Sequence, residues 1–392
     1  MSLPTTSARA AVLVSAARTP VGKFGGALAG VSALDLGGLA VAGALAGLDA
    51  ALPADHVFLG NVVQAGGGQN PARVAGIRGG VPATVPATTV NDVCLASMTG
   101  AGLAATLIRA GEIDCAVVGG FESMSRALHG VQLRQAPPTG DGVLVDLLVR
   151  DGLWCSVSDA GMGAISDRAN RELGIGREDQ DAVAAASHRR AAAAAASGRL
   201  GREIVPVPGV LDADEGLRPD TTPERLSRLR PAFTADGTIT AGNASQMSDA
   251  AAAGVLMSRQ LAERSGSRPL VEIVDRATVA GPDASLHLKP AAASRILLKR
   301  NGLTAADIGL WEINEAFAGV VLASARDLDL DLGQVNVNGG AIALGHPLGA
   351  SGFRLLQTLA VEMSLRRTEL GVAAICGGGG QGQAVLLRLC SD

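Results

Sequence analysis

Two stretches far apart in this chain share one order of elements, and that order restricts the fold more than any other feature. Thr88–Val93 is apolar and β-branched and reads as a strand, apolar spacing predicts a helix from about Ala96 to Arg109, and Asp114–Val118 reads as a short buried strand closed by Gly119 and Gly120. In the last third, Val335–Val337 reads as a short strand. A glycine-rich turn and a helix from about Ala350 to Leu365 follow, and the strand Gly371–Ile375 is again closed by glycines. Strands that are apolar throughout and alternate with helices predict an α/β fold with a largely buried sheet. The likeness is one of element order and not of residue identity, so it indicates a weak internal duplication. Ala10–Ser15, Val57–Val62, Leu270–Val274 and Leu310–Ile313 read as further strands, and Leu34–Leu48 as a helix of small residues.

Between the halves, Phe121 to about Asp249 has a different texture. It carries Pro and Gly breaks, a charged turn at Arg177–Asp181 and an alanine-rich helix ending near Ser197 and Gly198. A chain of 392 residues is too long for one small core, so this region reads as an insertion between α/β units.

Composition narrows the partners. The net charge is −4, and the densest basic stretch, Arg225 to Arg230, alternates with Leu and Ser as the solvated face of a helix would, so nucleic acid is not expected. No apolar run is read as reaching the roughly 18–20 uninterrupted residues of a membrane span. Met1 to Arg9 lacks the apolar core of a signal peptide. The five cysteines, at 94, 115, 155, 376 and 390, are odd in number and show no CxxC spacing. Metal sites and a disulfide framework are therefore not expected, and a cytoplasmic location is.

Three positions invite chemistry. Cys94 lies where a strand gives way to a helix, and the positive end of a helix stabilises thiolate. On position alone a buried small apolar residue is the simpler reading of that cysteine. His346 sits in Asn338-Gly-Gly-Ala-Ile-Ala-Leu-Gly-His-Pro-Leu-Gly-Ala-Ser-Gly352, where glycine is too dense for a regular element. A histidine in such a loop is a candidate base for a cysteine. Cys376 opens a run of four glycines, Gly377 to Gly380, whose main chain could hold an oxyanion. Asn314 follows a strand, at a sheet end of the kind that lines sites.

Taken in order, Asn91-Asp-Val-Cys94, Gly119-Gly-Phe-Glu-Ser-Met-Ser125, Gly242-Asn-Ala-Ser245, Asn314-Glu-Ala-Phe317, Gly345-His-Pro-Leu-Gly-Ala-Ser-Gly352 and Cys376-Gly-Gly378 resemble the motif set of the thiolases, across essentially the whole chain. The resemblance implies two similar α/β halves, each with a mixed five-stranded sheet, stacked in αβαβα layers. Residues 1–120 with 250–269 and residues 270–392 would form the halves, and residues 121–249 a loop domain covering coenzyme A. It implies reversible Claisen condensation and thiolysis between acyl-CoA and 3-ketoacyl-CoA through an acyl-cysteine, by a homodimer or homotetramer with no metal and no prosthetic group. Coenzyme A thioesters enter as substrates.

By the same resemblance Cys94 is the acylated nucleophile, His346 takes its proton, and Cys376 moves the α-proton of the second acyl-CoA. Asn314 holds a water that forms one oxyanion hole with His346. The N–H groups of Cys94 and Gly378 form the other. Ser245, Leu153, Met162, Phe317 and Arg218 match positions lining the coenzyme A pocket, Arg218 toward its nucleotide end. Two departures bear on chain length. Cys94-Leu-Ala-Ser97 stands where the family commonly has small residues with a glycine, and Leu95 pointing into the acyl pocket would shorten it. Gly161-Met-Gly163 stands where many biosynthetic members have His-Met-Gly, which opens space around the pantetheine. The reading is therefore a short-chain acetyl-CoA C-acetyltransferase. The alternatives are a longer-chain 3-ketoacyl-CoA thiolase of fatty-acid degradation and a non-catalytic thiolase-like protein. A decarboxylating ketoacyl synthase shares the fold class but lacks a second catalytic cysteine, so Cys376 argues against it.

Overall fold

The computed structural model describes residues 7–48, 54–134 and 139–390. The first half contains the strands β1 (Ala11–Arg18), β2 (His56–Gly60), β3 (Ala87–Val90), β4 (Cys115–Ser123) and β5 (Ser248–Ser258). They lie side by side in the order β3-β2-β4-β5-β1, with β3, β2 and β4 parallel and the remaining pairs antiparallel. The second half contains β6 (Val271–Ala280), β7 (Leu310–Ile313), β8 (Leu370–Gly377) and β9 (Gln381–Leu389). Their order is β7-β8-β9-β6, and a parallel bridge from Trp311 to Val335 adds a fifth position beside β7. Numbered by place in the chain, both halves run third, second, fourth, fifth, first. The duplication suggested by element order is thus a duplication of topology. The two sets are joined, because Val12 pairs with Glu272 and Leu13 with Val271, so β1 and β6 make one continuous sheet, whose tenth strand is the two-residue Gly22–Lys23 paired with β5.

Alternation along the strands sorts side chains between layers. Val117, Ala251 and Ala253 face outward beneath the helices α1 (Ala33–Ala46) and α2 (Pro71–Arg78). Ala116, Val118, Ala252 and Leu256 face inward onto the helix α3 (Ala96–Ala110). On the second half, Val372, Ala374, Ala384 and Leu386 face the outer helices at Lys289–Arg300 and Ala318–Leu328. The helix at Leu348–Arg366 packs beside α3 between the two strand sets, with Phe353, Leu356 and Leu359 in the same cluster as Met98, Ala101 and Ala105. Five layers result, helices alternating with sheet. The absence of Tyr is met by a core of Ala, Val, Leu and Ile, with Phe121 and Phe353 fully buried.

Several sequence expectations shift. Gly119 and Gly120 do not end their strand, which runs on to Ser123. Their role is close approach: a Cβ on Gly120 would lie 2.0 Å from the Gly349 carbonyl oxygen, so glycine lets the N-terminus of the Leu348–Arg366 helix sit against β4. The strand read as Thr88–Val93 stops at Val90, because Val93 has φ +48, a left-handed turn just before Cys94. Ser248–Ser258 and Gln381–Leu389 are strands beyond those the sequence predicts. Pro223–Leu226 is a single helical turn, shorter than the basic stretch from Arg225 suggested. Val93–Ala110 is apolar and long enough by length and composition alone to cross a membrane, but Gly100, Gly102, Thr106 and Arg109 interrupt it, in keeping with the reading of the sequence. Its helical part is the central-layer helix α3, whose apolar surface the two strand sets cover.

Ser123 pairs with Asp249, so residues 124–247 leave and re-enter the sheet at neighbouring positions of β4 and β5. That excursion contains the helices Met162–Glu172 and Arg177–Ala196 and a small hairpin in which Trp154 pairs with Gly161 and Cys155 with Ala160.

Candidate active site

The two cysteines come from different places in the two halves, one after a third strand and the other at the end of a fourth. Cys94 follows the turn after β3, and Cys376 is the penultimate residue of β8. The Val93 turn is tied down by its own neighbours: Val93 N–H donates to Asn91 Oδ1 at 3.1 Å. The carboxylate of Asp92 accepts the Thr99 hydroxyl at 2.7 Å and the Gln381 amide at 3.2 Å, which links the Cys94 turn to β9 just beyond the glycines. Holding a β-branched residue at positive φ costs on the order of 1–3 kcal/mol, and such strain persists where the surroundings over-determine it.

Gly378 lies against Val93, where a Cβ on it would be 3.3 Å from the Val93 side chain, so its main-chain N–H and that of Cys94 are close enough to the Cys94 sulfur to pull the thiol down. The pair expected to hold an oxyanion is therefore brought together at the nucleophile. The thiol itself departs from expectation. Burial pushes it up to about 12, against those two N–H groups, which pull it down, and Glu122 and Asp92 add to the rise. The helix proper begins at Ala96, and Cys94 packs against the cluster of Val62, Ala96, Met124, Leu148 and Leu348, so the apolar wall outweighs the helix terminus. Cys376, 1% exposed, sits among Ala244, Leu286, Ala316, Phe317, Val320 and Met162. Burial pushes its thiol up, and Cys94 nearby pushes the same way.

His346 is also buried, and burial, with a smaller contribution from the Arg354 guanidinium, holds it down at about 3. Its tautomer follows from the hydroxyl beside it. Ser351 Oγ–H donates to the Pro347 carbonyl at 2.8 Å and so can only accept from His346 Nδ1, 2.6 Å away. Nδ1 carries the proton and Nε2 keeps its lone pair, facing the Asn314 amide nitrogen at 3.4 Å. Asn314 is fully buried, and its Oδ1 has no partner. A buried acceptor left open beside an imidazole suits an ordered water.

Two carboxylates lock the loops around this group, and both lay within the motifs without being singled out. Glu122 accepts from Asn61 Nδ2 at 2.8 Å and from the N–H groups of Val62, Val63 and Gly349 at 3.1, 3.2 and 3.0 Å, fastening the start of the His346 helix to the first half. Glu315 accepts from Ser187, Asn336 and the Ile342 N–H, fastening the glycine-rich loop to the second. A charged residue inside an otherwise apolar run was the available signal for each.

The remaining positions divide. Met162 and Phe317 pack on the Cys376 cluster and Leu153 on the Cys94 cluster, while Ser245 N–H donates to Ala316 O at 3.1 Å, next to Phe317. Arg218 is exposed and lies by His188, whose Nδ1 accepts its backbone N–H at 3.2 Å, away from the cysteines. Leu95 does not enter a pocket: it is fully buried in the central core, and a Cβ on Gly377 would lie 2.8 Å from it. The helix geometry turns it toward the partner half. A Cβ on Gly161 would lie 3.9 Å from the Trp154 ring, an ordinary contact, so there is space beside the ring at this position.

Two thiols, a neutral imidazole with a fixed tautomer and converging N–H groups, set where duplicated α/β halves meet, are the equipment of an acyltransferase. Residues 11–260 match the family model "Thiolase, N-terminal domain" and residues 267–389 match "Thiolase, C-terminal domain". A "Probable acetyl-CoA acetyltransferase" of Mycolicibacterium smegmatis is 46% identical over 389 residues, 96% of this chain and 100% of that protein. One of the same name from Mycobacterium tuberculosis is 45% identical, over 96% of this chain and 98% of its own length. An "Acetyl-CoA acetyltransferase" of Allochromatium vinosum is 42% identical, with the same coverage. The chain belongs to the thiolase family.

Proposed function

We propose that this thiolase is an acetyl-CoA C-acetyltransferase, interconverting two acetyl-CoA with acetoacetyl-CoA and coenzyme A. The observation that carries the reading is the convergence of the Cys94 and Gly378 N–H groups on a cysteine whose counterpart, Cys376, lies beside it. His346 Nε2 takes the Cys94 proton as the sulfur attacks the thioester carbonyl. The tetrahedral oxyanion forms against the two N–H groups, which preorganised donors stabilise by several kcal/mol. Coenzyme A leaves with the proton. Cys376, as its thiolate, then removes the α-proton of a second acetyl-CoA, whose enolate oxygen faces His346 and a water on Asn314. The enolate carbon attacks the acyl-cysteine, the carbon–carbon bond forms, the Cys94 C–S bond breaks, and Cys376 returns the proton to the Cys94 sulfur.

Residues 121–249 would cover coenzyme A, with Ser245, Leu153, Met162 and Phe317 along the pantetheine and Arg218 near the nucleotide. Short-chain preference is supported by the names of the relatives and no longer by Leu95. A mechanism needing two free thiols suits the cytoplasm, and all five cysteines are free. A homodimer or homotetramer is supported by the apolar side chains Leu133, Val143 and Leu144, which are 70%, 80% and 65% exposed. Thiolysis of acetoacetyl-CoA should exceed that of 3-ketohexadecanoyl-CoA in kcat/KM by at least about tenfold, the scale of one or two methylene-sized discriminations. Equal or greater activity on the long chain would refute the short-chain assignment.

Ser351 yields a separate prediction. Ser351→Ala frees His346 to take the other tautomer, and loss of such an orienting partner typically costs about 10–100-fold in activity. The pre-steady-state rate of Cys94 acetylation should fall by that factor, with Ser351→Thr keeping most of it. An unchanged rate in Ser351→Ala would show that the hydroxyl does not set the tautomer.

A further inference from the structure

The guanidinium of Arg276, on β6, makes no hydrogen bond and no ion pair among the described residues; only its main-chain N–H is engaged. Its stem runs over the bare face of a glycine on α3, since a Cβ on Gly102 would be 2.4 Å from Arg276 Cδ and 2.9 Å from its Nε. Arg276 is half-buried and lines a cavity of about 380 Å³ together with Arg109 of α3 and Arg300, the last residue of the Lys289–Arg300 helix. Thr106, Asp275 and Thr278 line it as well, and no residue assigned above to catalysis or to coenzyme A does. Three guanidinium groups thus share one cavity with one carboxylate.

That carboxylate is already committed. Asp275 accepts Arg300 Nε at 3.0 Å and Nη2 at 2.8 Å, the Asn301 amide at 2.9 Å and the Arg276 main-chain N–H at 2.7 Å. It neutralises Arg300 and leaves the other two uncompensated. Arg109 donates to a neutral group, the Ile273 carbonyl, at 3.1 Å. Burial lowers the Arg276 guanidinium, and the charges of Arg109 and Arg300 lower it further, against Asp275 and Asp92. Like charges gathered in a partly desolvated cavity repel unless an anion lies among them. A neutral donor is also at hand, because Thr278 Oγ1 accepts the Gln383 amide at 3.3 Å and keeps its own proton to give.

We propose that this cavity binds a phosphate group, held by Arg276 between Arg109 and Arg300, with the Thr278 hydroxyl as a further donor. Two uncompensated guanidinium groups match a phosphate that carries close to two charges near neutral pH, and planar guanidinium forks take oxyanion oxygens in pairs. Arg109 belongs to the first half and Arg276 and Arg300 to the second, so the anion ties the halves together. The cavity admits the free ion or the head of a phosphomonoester.

The full chain in chloride buffer is titrated with inorganic phosphate and with glycerol 3-phosphate. Calorimetry should give a saturable site on each chain. Melting should rise by about 2–5 °C at phosphate near 100 times Kd, and not in chloride of equal ionic strength. Tighter binding of inorganic phosphate identifies the free ion as occupant, and tighter binding of glycerol 3-phosphate a phosphomonoester. Arg276→Gln should weaken binding by about 10–100-fold, the loss of charge-assisted hydrogen bonds, and Arg276→Lys by less. In chloride alone Arg276→Gln should melt no lower than wild type, because the guanidinium has no carboxylate to lose and two like charges to escape. Arg218→Gln, outside this cavity, should bind phosphate as wild type does. Should Arg276→Gln not fold, Arg109→Gln decides, and it should weaken binding several-fold. The absence of saturable binding, binding unchanged in both the Arg276 and Arg109 variants, or binding lost in Arg218→Gln overturns the proposal. So does an Arg276→Gln protein that loses its oligomeric mass in chloride, since the guanidinium would then meet a carboxylate of a second copy.

Discussion

Replacing Cys94 by alanine is expected to lower acyl transfer by on the order of 10⁶-fold, the loss seen when a covalent nucleophile is deleted from a site whose other parts remain. The fold should survive, because Cys94 is partly exposed and only borders the central core. Incubation with acetyl-CoA should add one acetyl group per wild-type chain, mapped to Cys94 by mass spectrometry, and none to the variant. Acetyl appearing on Cys376 with Cys94→Ala fully active would reverse the assignment. A pH signature accompanies this. With the thiol raised to about 12 and the imidazole lowered to about 3, the resting pair at neutral pH is thiol and neutral imidazole and not an ion pair. His346 therefore stays a competent base well below the ordinary histidine range. The kcat/KM for acetylation should show no inflection near pH 6.5, and the ultraviolet thiolate absorbance at pH 7 should be the same in wild type and Cys94→Ala. An inflection near 6.5, or a thiolate band lost on substitution, would mean that His346 or Cys94 titrates as it does in water.

How far the sequence disclosed this site depends on the kind of information each residue carries. Cys94, His346, Asn314 and Cys376 are marked by local context, since turn glycines and strand ends leave a pattern in the chain. The duplication was likewise readable, because each half repeats strand, helix and strand. The environment of each group was not. A helix terminus argued for a depressed Cys94 thiol, but Val62, Met124, Leu148 and Leu348, from four separate segments, pack around it with Ala96, and no local pattern reveals them. Leu95 looked like a pocket residue by adjacency, whereas the turn of α3 sends it into the core against Gly377. The strand at Ser248–Ser258 carries Ala250–Ala253, good helix formers that pairing on both sides overrides. Ser351 is meaningful only through its partners, by the donor–acceptor accounting of a single hydroxyl.

Cys376→Ser is expected to split the reaction in two. The variant should still become acetylated on Cys94 at a rate within a few-fold of wild type, while condensation and thiolysis fall by about 10²–10⁴, the usual contribution of a positioned acid–base group. The serine hydroxyl fits the cavity, because it is smaller than the thiol, but it is a far weaker acid, and its alkoxide is out of reach at neutral pH. The Cys376 thiol is itself held up, first by its apolar surroundings and then by Cys94. Exchange of the α-protons of acetyl-CoA in deuterated water isolates the step. The wild-type acyl-enzyme should catalyse it, and Cys376→Ser, acetylated to the same extent, should not. Normal exchange in the acetylated Cys376→Ser enzyme would place the base elsewhere in the site. A variant that failed to acetylate at all would show that Cys376 serves the first half-reaction.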